Sequence, residues 1–277
     1  MAAFSLTLPM SRVALDGLGP LQIAVWRAVV AAAAAGLVLL VLRPPRPSGR
    51  QWALLALCAF GVVFGFPVFT TLAMQTVSAS HGAVVVGLLA LGTAVVGSFI
   101  GGERPSPAFW LTALAGTALT TLFVLRQTDG AGLALGHLYL ALAVLTASVG
   151  YAYGGLLARD LAGWSVACWS LVASLPVLLA AAMFVPPPTP TASASVLGAF
   201  LYLALVSQLA GFFFWYRGLA MAGIARASQV QLLQLFLTLF AAVLLFGEPF
   251  DGETVLFGSA VVVCVAVGTR LRIGSAE

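Results

Sequence analysis

The chain has 277 residues, is 62% hydrophobic and only 7% charged, and carries a formal net charge of +4, against about 25% charged residues in an ordinary soluble domain. So few charges cannot clothe a water-facing surface of this size, and the chain reads as a polytopic membrane protein. All 12 basic residues are arginine, almost all in short breaks between apolar runs. No basic cluster interleaves with aromatics in a soluble stretch, which excludes nucleic acid as a partner.

A spanning helix needs roughly 20 apolar residues, and breaks carrying Pro, Gly or charge divide the sequence into about ten of them. The predicted segments are Ala2–Leu15, Leu21–Leu42, Gln51–Thr76, Ser80–Gly101, Ala108–Leu125, Leu135–Ala158, Trp164–Val185, Ala194–Met221, Ala225–Phe246 and Thr254–Leu271. The first is short: about 14 residues cover roughly 21 Å of a ~30 Å hydrocarbon core. It reads as a stub or as a helix truncated at its N-terminus. A signal peptide fits less well, because no basic region precedes the apolar stretch and Arg12 follows it. Gly274-Ser275-Ala276-Glu277 reads as an appended tail and is set aside.

With a cytoplasmic N-terminus, the inner side receives Arg43, Arg46, Arg50, Arg104, Arg159, Arg217, Arg226, Arg270 and Arg272, and the outer side mainly Arg12 and Arg126. The positive-inside rule then favours both termini in the cytoplasm and the Pro186–Pro190 connection outside. Cys58, Cys168 and Cys264 lie far apart inside apolar spans and read as small buried side chains, with neither disulfide nor metal spacing.

A shift of 145 residues lays Phe69, Val85, Leu88, Thr93, Gly102 and Glu103 on Phe214, Val230, Leu233, Thr238, Gly247 and Glu248 without a gap. Both Gly-Glu pairs close the fourth helix of a five-helix half, so the expected architecture is all-α, with repeats at 1–131 and 132–273. Five is odd, so the second half enters the membrane in the opposite sense. That is the inverted-repeat build of many secondary transporters, which hold substrate near the midplane between the halves.

Several short motifs carry a family likeness: Phe4 with the following Leu-Pro-Met-Ser-Arg-Val-Ala-Leu stretch, Trp26-Arg27, and Ala73-Met74 through Ser78-Ala79-Ser80. Gly223-Ile224-Ala225-Arg226-Ala227-Ser228, Gly102-Glu103-Arg104 and Gly247-Glu248-Pro249 complete the set. In these the chain resembles the drug/metabolite transporter superfamily, in particular its ten-helix EamA-type members with two five-helix repeats. The proline often found about 13 residues before each Glu in that family is Ala90 and Leu235 here. The tryptophan-glycine that usually opens the first helix falls at or before Met1. Among members, the amino-acid exporters are nearest in general likeness.

Polar side chains inside a bilayer are costly and mark either a transport pathway or helix-to-helix hydrogen bonding. Gln231, Gln234 and Thr238 fall at i, i+3 and i+7 and form one helix stripe, facing a cavity or another polar helix. Ser207 and Gln208 sit mid-span, with Trp215 and Tyr216 towards the inner end; Ser148, Tyr151 and Tyr153 lie near the midplane. Such aromatic walls with a few amides and hydroxyls suit a small organic substrate, or else simply pack. His81 opens the fourth helix, where it could bind a carboxylate or carry a proton, or merely meet water at the outer mouth. The expected substrate-binding set is therefore His81, Tyr151, Gln208, Trp215, Gln231, Gln234 and Thr238. Arg27, about seven residues into its helix, is expected to snorkel outward in a structural role. Glu103 and Glu248 are read as loop-fixing groups.

No zinc-protease, serine-hydrolase or P-loop motif occurs, so neither an enzyme, a metal site, a cofactor nor an ATP-driven pump is expected. No Asp or Glu lies deep in a predicted span, which argues against a carboxylate proton relay and for facilitative flux. Gly61/Gly65, Gly97/Gly101 and Gly150/Gly154 have the spacing of close helix contacts, and Pro9, Pro67 and Pro176 are candidate hinges. The expected function is export of amino acids or similar small metabolites by alternating access, with bilayer lipid and substrate as partners, as a monomer or homodimer. Efflux of lipophilic cations and a non-transporting receptor or scaffold are the alternatives.

Overall fold

The computed structural model describes residues 1–100, 103–127, 135–188, 192–247, 252–270 and 273–275. Gly101, Gly102, Thr189, Pro190, Glu248, Pro249 and Arg272, and the side chains of Glu103, Arg104 and Arg226, lie outside the described residues.

The helices run in chain order as α1 (Ala2–Leu15, interrupted at Leu6), α2 (Pro20–Leu42), α3 (Gly49–Ala73), α4 (Ala79–Ile100) and α5 (Pro107–Gln127). Then come α6 (Leu135–Leu157), α7 (Gly163–Ala173 and Leu175–Ala182), α8 (Ala194–Ala222), α9 (Ile224–Val230 and Leu232–Phe246) and α10 (Gly252–Arg270). Starts are written locally: Ser48, Ser78 and Ser193 accept the backbone N–H three residues on at 3.4, 3.2 and 3.4 Å, satisfying donors a first turn leaves bare. Between α8 and α9 the chain reverses on Gly223 at φ 82, a left-handed conformation that a side chain would strain.

By length and composition α2, α3, α4, α6 and α8 can each cross a membrane, and the bent pair of α7 makes a sixth. The remaining apolar helices are shorter, with cores at Ala2–Leu15, Trp110–Phe123, Leu232–Leu244 and Gly252–Gly268. Large apolar side chains such as Met183 and Phe184 are 84% and 87% exposed. For an integral membrane protein this is the lipid-facing surface.

Several helices that the apolar pattern reads as continuous are interrupted. In α3 residues Phe60–Gly65, and in α8 residues Tyr202–Ala210, adopt the wider π register, in which residue i bonds i−5. The first part of α4 ends at Val86 and that of α9 at Val230. Shifted by 145, Phe60–Gly65 lands on 205–210 and Val86 on 231, so both kinds of interruption recur at matching points. The two parts of α7 meet at 43° just before Pro176.

Glycines bring helices into backbone contact. A Cβ on Gly61 would collide with the Thr146 carbonyl and stand 2.6 Å from Gly150 Cα, so α3 and α6 touch there. A Cβ on Gly154 would run into the Tyr216 ring. The fifth helices of the two halves lie antiparallel: Arg126 at the end of α5 pairs with Glu253 at the start of α10 at 2.9 Å. At the other end, Glu103–Pro105 forms a short antiparallel ladder with Ile273–Ser275, so the tail set aside in the sequence reading pairs with the α4–α5 connection.

Candidate functional site

Aromatic rings fill the junction of α1, α6 and α8. Phe212 packs against Phe4, Tyr216 and Tyr151 at 5.1, 5.2 and 5.7 Å between centroids, and Tyr151 against Trp215 at 5.4 Å. Two of the predicted residues, Tyr151 and Trp215, therefore do meet. The Trp215 Nε1–H is buried without a hydrogen-bond partner, an unusual condition for an indole in a packed core. Tyr216 Oη lies 3.0 Å from Cys58 Sγ, which Ser170 Oγ reaches at 3.5 Å, tying α3, α7 and α8 together.

Three of the predicted polar residues donate to backbone carbonyls of α1 and α3, the helices that carry Pro9 and Pro67. Proline has no N–H, so the carbonyl it would have engaged is left bare. In α1, Met10 N donates to Leu6 O; one rung back, Ser5 O lacks a donor because residue 9 is proline. Thr238 Oγ1 from α9 supplies it at 2.8 Å, and Gln234 Nε2 reaches the neighbouring Phe4 O at 3.5 Å. In α3, Phe66 N donates to Gly61 O in the π register, so Val62 O falls to Pro67 and is bare. Gln208 Nε2 from α8 donates to it at 2.8 Å.

Arg27 departs from expectation. Rather than snorkelling, its side chain is 1% exposed, enclosed between α1, α2 and α8. Its Nη2 reaches Ser207 Oγ at 3.4 Å, and Ser207 in turn shares a 2.8 Å bond with Thr7 Oγ1. Inward-facing hydroxyls on α1 and α8 draw the guanidinium into the bundle. Arg12 at the other end of α1 caps α3, donating to Met74 O and Val77 O at 3.2 and 3.1 Å.

Gln231 sits at the break of α9 with both amide heavy atoms buried and unpartnered. With Leu8, Gly87, Gln234 and Thr238 it lines a cavity of about 10 Å³, room for at most a single water molecule. The polar stripe thus faces α1 and a void of that size, too small to hold a substrate. His81 lies apart, its ring 4.6 Å from Phe123 and 5.0 Å from His137. Two larger clefts are apolar: about 650 Å³ among α4, α5 and α6, and about 570 Å³ among α2, α7 and α8. Neither contains any of the seven predicted residues. Thr7, Phe4 and Phe212 belong to this centre but not to the predicted binding set, although Phe4 opens one of the family-like motifs; the Pro9 motif, which demands a donor for Ser5 O, is the signal that points to α1.

Apolar helices are broken around a buried core of amides, hydroxyls, an arginine and aromatic rings, the build of a membrane protein with a polar interior. The chain belongs to the EamA-like transporter family, whose profile matches residues 1–125 and again 134–269. It is 42% identical over 268 residues to a Bacillus subtilis (strain 168) protein named Uncharacterized transporter YdeK, covering 96% of this chain and 93% of that one. A crystal structure with 20% identity covers 97% of each chain at a TM-score of 0.65 and shares the fold. Membership of the family implies a small-molecule substrate and a lipid environment.

Proposed function

We propose that this chain is a secondary transporter of the bacterial inner membrane that exports amino acids or similar small metabolites by alternating access. It is read as one monomeric unit of ten spans in two inverted repeats, 1–131 and 132–273. The observation that carries the reading is the recurrence of the same interruptions in both halves, the π segments of α3 and α8 and the breaks of α4 and α9. Secondary transporters hold substrate where such discontinuous helices meet at mid-depth. The antiparallel pairing of α5 with α10, the last helix of each half, supports opposite insertion of the two repeats.

The ring cluster around Phe212, with Gln231, Gln234 and Thr238 beside α1, supports a substrate with an apolar body and polar ends. In general likeness the chain resembles the aromatic amino-acid exporter YddG. In the conformation described, the centre is shut; α3–α4 and α8–α9 rock about Pro9, Pro67 and Pro176 to open it. The arginine distribution supports cytoplasmic termini, and the absence of a deeply buried carboxylate among the described residues supports flux down the substrate gradient. Purified protein in proteoliposomes, offered a panel of radiolabelled amino acids, is expected to show saturable flux of at least one. Uptake of tetraphenylphosphonium with no saturable amino-acid flux would replace this reading with cation efflux.

A further inference from the structure

We propose that Arg27 binds the carboxylate of the transported molecule; the proposal rests on the reading of the chain as a carrier of amino acids or similar metabolites. Arg27 is the one fully buried arginine among the described residues. A guanidinium presents five N–H donors. Here Nη2 makes a long contact with Ser207, while Nε and Nη1 are buried with no hydrogen-bond partner. Among the described residues no acid balances the charge: Asp16 and Asp160 are exposed at helix ends, and Glu253 pairs with Arg126.

An uncompensated buried cation is strongly unfavourable, and a neutral side chain of similar size would hold the helices together better. The arrangement makes sense when an anion arrives to complete it. A planar guanidinium matches a carboxylate through parallel N–H···O bonds. A single positive charge balances a monoanion; a phosphate dianion calls for a second cation, and among the described residues no other is fully buried. The way in is also visible. Ser207 bonds both Arg27 and Thr7, and it lies in the π segment of α8, while Thr7 stands two residues before Pro9. Bending of α1 at Pro9 parts Thr7 from Ser207 and uncovers the guanidinium.

The test uses the full chain in proteoliposomes with labelled L-phenylalanine, competed by 3-phenylpropionate, which keeps the carboxylate, and by phenethylamine, which keeps the amine. Wild-type flux is expected to be inhibited by 3-phenylpropionate at a concentration at least tenfold below that needed for phenethylamine. Arg27→Lys should keep that ranking. Arg27→Gln should lose it and raise the half-saturation concentration for phenylalanine at least tenfold, while its melting temperature without ligand stays level or rises. Equal inhibition by the two competitors in the wild type overturns the proposal and leaves transport standing, as does wild-type half-saturation in Arg27→Gln. Should Arg27→Gln fail to fold, Arg27→Lys decides: equal thermal stabilisation by the two competitors overturns the proposal. A wild type that neither moves phenylalanine nor is stabilised by any of the three compounds overturns the amino-acid reading and the proposal together.

Discussion

Replacing Thr238 with valine keeps the volume and deletes the hydroxyl that donates to Ser5 O at 2.8 Å. Because Pro9 provides no N–H, that carbonyl is then a buried acceptor with no donor. A bare buried acceptor costs about 1–3 kcal/mol, whereas side-chain hydrogen bonds within membranes average about 0.6 and reach about 1.7. The overlap gives an expected loss of about 1–2 kcal/mol, a fall in melting temperature of about 2–4 °C for a chain of this length. Tryptophan fluorescence during thermal unfolding in detergent measures it. The sharper measurement is a double-mutant cycle with Pro9→Ala, which gives residue 9 an N–H one rung from Ser5 O. In that background Thr238→Val should cost little, for a coupling of about 1 kcal/mol. If the two substitutions add within about 0.3 kcal/mol, Thr238 is not standing in for the missing donor and the hinge assignment fails with it.

Gly61→Ala should destabilise the chain by roughly 1–3 kcal/mol in the same unfolding assay, because the added Cβ meets backbone of α6; Gly218→Ala, with nothing within 4 Å, should not. Gln231→Leu removes an amide with no partner, so it should leave the melting temperature level or higher while lowering flux in proteoliposomes; a marked loss of stability would mean the amide is structural. Single cysteines at Pro45 and Pro187, both exposed, on a cysteine-free background should react with an impermeant maleimide from opposite sides of the membrane, and reaction from one side alone would break the inverted-repeat arrangement. Substrate flux should proceed in vesicles with no imposed proton or sodium gradient, and a strict need for a pH gradient would make His81 the first residue to substitute.

Helix positions were legible because lipid solvation forces long apolar runs, and Ser48, Ser78 and Ser193 mark starts by the backbone donors they satisfy. The π segments were not, because the Ser and Gln of Tyr202–Ala210 mark a polar point without marking a change of register and Phe60–Gly65 is as apolar as the helix around it; a one-residue widening leaves no compositional trace. Gln208 and Thr238 stood out as polar residues in apolar spans, yet their partners, Val62 O and Ser5 O, are 146 and 233 residues away. Arg27 illustrates the same limit. Its depth in α2 leaves both the surface and the bundle interior within reach of the side chain, and only the hydroxyls of Thr7 and Ser207, placed by tertiary packing, decide between them.

The two capped carbonyls tie wetting to opening. Ser5 O and Val62 O lie just before Pro9 and Pro67, the proposed hinges of the first half, and each is held by a side chain from the second, so bending at either proline would release its cap. In a hydrocarbon environment a released carbonyl has nowhere to turn except to water. A conformation that opens α1 or α3 is therefore a hydrated one from its first moments. The sealed form, with every such oxygen engaged by protein, is the dry one. Under the proposed alternating access, solvent entry at these two oxygens is part of the transport cycle itself, and a carrier that cannot be wetted at Ser5 or Val62 would not open.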